Sequence, residues 1–198
     1  MRLSEPRIPT LDPAKWSDEQ AEALCRDIAN LQANIGSGDT VFNVLKTMVQ
    51  HPALCKSWMA FSNHLLFKST LLPRDREILI LRIGWLCQSG YEFGQHILIS
   101  QEAGLTKKEI VRITQGAEAL GWSDIERALI RATDELHADA FISDALYAEL
   151  AGHYDQKQIM DLVFTVGQYN MLSMALNTLG IQLDPGIPDY QVFVEENS

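Results

Sequence analysis

Cysteine is scarce in this chain: 198 residues hold three, Cys25, Cys55 and Cys87, set far apart. An odd count without paired spacing argues against a disulfide framework and a cysteine-type zinc site, and fits a reducing, cytoplasmic compartment. Positive charge is scarce too. Lys and Arg number 16 against 26 Asp and Glu, a formal net charge of −10. A phosphate-binding surface needs clustered cations. Arg74 with Arg76, and Lys107 with Lys108, are isolated pairs. Nucleic acid and anionic membranes are therefore poor candidates as partners. The opening stretch, MRLSEPRIPTLDPAKW, has no apolar core of a secretory signal.

Other absences narrow the chemistry. There is no His-Glu-x-x-His, no Glu-x-x-His, no glycine-rich phosphate loop and no Gly-x-Ser-x-Gly elbow. A metal set drawn from Glu92, His96, His64 and His137 has no motif behind it, so neither metal nor cofactor is expected. Cys87 ends an apolar stretch with no second thiol nearby, and reads as an inert core residue. Alternating strand patterns are also missing. Leu162 to Leu183 carries no charge, but its amides and hydroxyls mark the central helix of a bundle rather than a membrane span.

Helices are what remains. Capping-box pairs occur at Ser17 with Gln20, Ser89 with Glu92, Thr106 with Glu109 and Ser123 with Glu126. The periodicity predicts helices over 18–34, 40–50, 52–69, 74–87, 90–103, 106–115, 123–138, 143–152 and 156–179. Residues 1–16, with Pro6, Pro9 and Pro13, read as an extended arm, and 17–198 as one all-α domain. The segment RDREILILRIGWLC (74–87) is apolar almost all round, and so is 156–179. Helices of that kind are buried in a core or a subunit interface. Self-association is expected.

The chemistry concentrates near residue 92. Glu92 and His96 fall one turn apart on one helix face, with Ser89 at the helix start. A carboxylate so placed orients an imidazole and raises its pKa, giving a general acid or base. Glu77, on the preceding helix, joins them if the two helices pack as a hairpin. A plainer reading stands beside this one. Ser89 and Glu92 serve as capping residues only, His96 is a satisfied polar side chain, and Glu77 merely suits a helix start. His137, at a helix C-terminus, gains from the dipole in the same way.

The run Leu72 to Arg82 followed by Tyr91-Glu92-Phe93-Gly94-Gln95-His96 resembles the carboxymuconolactone decarboxylase family, within the superfamily of the alkyl-hydroperoxidase D proteins. Asn43, the His51-Pro52 turn, Asp134–Asp139 and Val163–Gly180 extend the likeness over about 41–182. The resemblance implies an all-α, hydroperoxidase-D-like bundle assembled as trimers or hexamers. The peroxidase branch carries a Cys-x-x-Cys pair before its histidine. Aligned on His96, those positions hold Ser89 and Glu92, so a thiol-cycling peroxidase is disfavoured. The decarboxylase branch implies cofactor-free loss of CO2 from a small carboxylated lactone in aromatic-compound breakdown. His96 would then donate the proton, tuned by Glu92, with Glu77 holding it and Arg82 the nearest cation for a carboxylate. Another reaction on the same scaffold, or small-molecule binding without catalysis, is the alternative.

Overall fold

The computed structural model describes residues 2–25 and 41–198. Every regular element among them is helical. After a 3-10 turn at Pro13–Lys15 come α1 (Asp18–Cys25), α2 (Asn43–Met48) and α3 (Pro52–Asn63), which runs into a π-helical turn at His64–Lys68. Then follow α4 (Pro73–Leu86), α5 (Gly90–Glu102), α6 (Lys107–Gln115), α7 (Asp124–Asp139), α8 (Asp144–Ala151), α9 (Gln156–Leu179) and α10 (Tyr190–Asn197). The expected helix 18–34 lies partly outside the described residues. That over 52–69 ends in the π turn, and α10 is a helix the periodicity does not predict.

α4 is the spine. It packs against α5, α7 and α9, and Ile78, Leu79, Ile80, Leu81 and Ile83 have no exposed surface. Surrounded on all sides, it has no face that needs polar residues, which explains its sequence. Arg82 is buried here with a structural task. Its Nε donates to Asp134 at 2.6 Å and its Nη1 to the carbonyls of Ile113 and Thr114. It ties α4 to α6 and α7 and is not available as a substrate cation.

A tight turn through Gln88 (φ +50°) folds α5 back along α4. Ser89 N–H closes it on Gly84 O at 2.9 Å. Residues at similar distances from such a turn come side by side, which brings Glu77 opposite His96.

The arm lies along its own chain. Arg7 N–H donates to Leu179 O at 2.8 Å and Leu11 N–H to Lys46 O at 3.0 Å. Gly180 (φ +73°) ends α9, and a Cβ there would meet Glu5 O at 3.0 Å. The helix α9, uncharged from Leu162 onward, is not buried all round as its composition suggests. Tyr169, Leu172 and Leu176 face the core, whereas Met160, Phe164, Met171 and Met174 are half exposed or more. Among the described residues no helix is long and apolar enough to cross a membrane.

Candidate functional site

Glu77, Glu92 and His96 meet in the interior, with 0, 4 and 4% of their surfaces exposed. His96 Nδ1 bonds Glu77 Oε2 at 2.6 Å. Its Nε2 stands 3.1 Å from Glu92 Oε1, one turn back on α5. The other Glu77 oxygen accepts from Arg76 Nε at 3.0 Å, and Arg76 Nη2 lies at the same distance. Four charges thus alternate in sign along one line: Arg76, Glu77, His96, Glu92. Tyr169 of α9 sets its ring edge-on to the imidazole, centroids 5.1 Å apart.

Burial alone would push the His96 pKa down. The Glu77 charge and hydrogen bond, reinforced by Glu92, overcome it and raise the value from 6.5 to about 9. His96 is therefore an imidazolium at neutral pH, and both N–H groups point at carboxylates. Burial and the charges of Glu92 and Glu77 push the Tyr169 hydroxyl well above its ordinary value, so it stays protonated.

His96 and Glu92 line a cleft of about 90 Å³, with Glu77 buried behind the imidazole. Phe42, Trp58, Phe67, Tyr91 and Tyr169 supply apolar walls, while Ser62, Asn63, Glu92, Gln95 and His96 supply the polar groups. Asp184, behind the wall, accepts from Tyr91 Oη at 2.5 Å, Gln95 Nε2 at 2.8 Å and Asn43 N–H at 2.9 Å. This one buried carboxylate fixes two lining residues and the start of α2. Burial pushes its pKa up.

The plainer reading of Ser89 and Glu92 as a capping box fails. Ser89 occupies the N-cap of α5, but its side chain makes no capping bond. Its hydroxyl is buried without a partner, and Ser89 does not line the cleft. Glu92 is turned toward His96 instead, because a cation draws a buried carboxylate more strongly than a backbone N–H does. Of the predicted site residues, the structure brings together Glu77, Glu92 and His96 and leaves Ser89 aside. Sequence reasoning missed Arg76 and Tyr169. Arg76 is adjacent to Glu77 and open to notice, whereas Tyr169 reaches the site only through tertiary packing.

The remaining candidates lie elsewhere. His64 pairs with Asp161 at 3.1 Å. His137 is exposed, 4.0 Å from the Cys87 sulfur. Cys87 Sγ donates to Asn170 Oδ1 at 3.0 Å, and burial raises its thiol pKa. Among the described residues, no group of three or more His, Cys, Asp or Glu is arranged to hold a metal ion.

Residues 52–135 match the model of the carboxymuconolactone decarboxylase family. That stretch contains Glu77, Ser89, Glu92 and His96. No protein of curated function matches the sequence. Among solved structures, an uncharacterized peroxidase-related protein from Ralstonia eutropha JMP134, with the alkylhydroperoxidase AhpD core, superposes with a TM-score of 0.77 at 17% identity, over 98% of this chain and 97% of that one. A peroxidase-related protein from Silicibacter sp. TM1040 gives 0.76 at 16% identity, over 93 and 97%. A cysteine-to-alanine form of the debrominase Bmp8, in complex with 2,3,4-tribromopyrrole, gives 0.76 at 11%, over 98 and 99%. At these identities the likeness is one of fold.

Proposed function

We propose that this chain, which belongs to the carboxymuconolactone decarboxylase and AhpD-like superfamily, is a cofactor-independent acid–base enzyme acting on a small carboxylated or lactone-like compound, with loss of CO2 as its reaction. The observation that supports this reading is the buried Glu77–His96–Glu92 line, whose His96 and Glu92 open onto an apolar cleft. A buried imidazolium held near pKa 9 is a proton source at neutral pH.

The step balances without a cofactor. The bond from the ring carbon to the carboxylate breaks, and CO2 leaves. The electron pair moves into the conjugated lactone carbonyl as an enolate. His96 gives the Nε2 proton to the enolate carbon, once substrate displaces the longer contact to Glu92. Glu77, anchored by its bond from Arg76, holds the resulting neutral ring by Nδ1. Solvent then reprotonates Nε2 past Glu92. Developing charge is met by groups already in place, so little reorganisation is needed.

The apolar, aromatic-lined cleft also suits a flat ring without a carboxylate, which is the observation behind a second reading. Bmp8, with the same fold, is a debrominase seen with a brominated pyrrole. A different reaction on such a ring is therefore the alternative. Thiol-cycling peroxidase activity is disfavoured, because Ser89 and Glu92 stand where the paired thiols would be and Cys87 is not a lining residue of the cleft.

The test is CO2 release from a carboxylated unsaturated lactone, with deuterium uptake in D2O at the enolate carbon that His96 protonates. His96→Asn is expected to lower turnover by about 10²- to 10⁴-fold. Turnover equal to wild type in that variant overturns the acid–base role. Loss of halide from a halogenated ring, without CO2 release from any lactone, selects the second reading.

A further inference from the structure

We propose that a second cleft, at Arg76, is a carboxylate-binding subsite that takes the acidic group of a small ligand whose ring sits over His96. This deepens the decarboxylase reading above and rests on it. The second cleft is lined by Leu66, Phe67, Pro73, Arg76, Ile99 and Glu102, with Ala103. Leu66, Phe67 and Ile99 also line the His96 cleft. The two openings therefore adjoin along a shared apolar edge.

Charge decides which opening an anion prefers. Arg76, Glu77, His96 and Glu92 sum to zero, so the cluster as a whole does not attract a carboxylate. Within the His96 cleft an incoming carboxylate meets Glu92. At the far end of the line it meets Arg76. The Arg76 side chain is only 12% exposed, and Glu77 takes Nε and Nη2 alone. Among the described residues Nη1 has no hydrogen-bond acceptor, so the guanidinium keeps donors for a second carboxylate. The other arginines of α4 are committed. Arg74 is paired with Glu109 and Glu126, and Arg82 with Asp134 and two carbonyls. Arg76 is thus the arginine of this helix that both keeps a donor and lines a cleft beside the His96 site. Glu102, exposed at the rim, is the like charge that lines the same cleft.

The experiment uses benzoate, with benzamide as its neutral isostere, titrated against the full chain. Binding is followed by NMR at the Ile99 methyl groups, which border both clefts, and by the His96 imidazole resonances. Benzoate is expected to shift both signals and to raise the His96 titration midpoint, since an anion at Arg76 adds negative potential. Arg76→Gln should weaken benzoate by about tenfold and Glu102→Gln should tighten it by about threefold, while benzamide responds to neither change. Glu102 is exposed, so its variant stands in if Arg76→Gln does not fold. Equal affinity for benzoate and benzamide, or benzoate binding indifferent to Glu102→Gln, overturns the subsite. Turnover plays no part in this readout. A chain that binds benzoate through Arg76 yet releases no CO2 overturns the catalytic reading alone.

Discussion

At the scale of single residues, the site turns on where one proton sits. The folded pKa of His96, about 9, lies above its ordinary 6.5. A raised folded pKa means that the native state binds the proton more tightly than the unfolded chain does. The stabilisation is complete below pH 6.5 and fades as pH climbs through 9. Its size is on the order of 3 kcal/mol at 1.36 kcal/mol per pKa unit. The stability gap between wild type and His96→Asn, measured by urea unfolding, should therefore shrink from pH 6 to pH 10; a constant gap contradicts the pairing. Glu77→Gln removes the charge that opposes burial, so the His96 midpoint by NMR should fall by at least a unit. An unmoved midpoint means that Glu77 does not set it. Glu92 and His96 pair on paper because four residues make one helical turn, and Glu77 follows from the hairpin. Tyr169 does not, because nothing in the spacing along α9 marks that face as the one meeting the imidazole.

Among the elements, helix starts show which local rules survive tertiary contact. The boxes at Ser17, Thr106 and Ser123 form as their sequences predict, and Asp155 with Gln158 adds an unforeseen one. At α5 the same pattern is overridden by His96. The difference is measurable. Ser123→Ala loses a cap and should cost about 1 kcal/mol. Ser89→Ala loses a buried hydroxyl without a partner and should be neutral or stabilising. A loss at Ser89 as large as that at Ser123 would show that its hydroxyl has a partner after all. The missed helix α10 has a legible cap in Asp189, which accepts from Gln191 and Val192 N–H. What the sequence hides is the segment's docking place. It lies flush on α5, where a Cβ at Gly94 would come within 2.8 Å of Pro188 O. Gly94→Ala should thus destabilise by about 1–3 kcal/mol through overpacking, against its small helix-propensity gain. A stabilised variant would mean that the segment 183–188 yields freely.

For the whole molecule, α9 poses a question that one chain does not answer. Its core face is fully used, yet Met160, Val163, Phe164, Met171 and Met174 follow one another at helical spacing on the opposite side, 37 to 60% exposed. Phe61 of α3 extends this surface by packing edge-on against Phe164, ring centroids 6.0 Å apart. Scattered apolar residues on a surface are ordinary, whereas a continuous stripe of this length marks an interaction site. The arm is not what covers it, since its bonds run to the end of α9 at Thr178 and Leu179 and to α2. We propose that copies of the chain cover it, as trimers or hexamers. Closed symmetry would let each copy bury the same stripe. Light scattering after size-exclusion chromatography should then give three or six times the monomer mass. Phe164→Glu combined with Met171→Glu places charge in the seam and should release monomers with unchanged helical content. The wild type eluting as a monomer refutes the assembly, and an oligomer that survives both substitutions moves the interface off α9. His96 lies on the opposite side of α9, beyond Tyr169, so the dissociated variant also reports whether the His96 site persists without a neighbour. Retention of the raised His96 midpoint in that monomer would place the proton line within one chain, as the burial of Glu77 and Glu92 in the single chain requires.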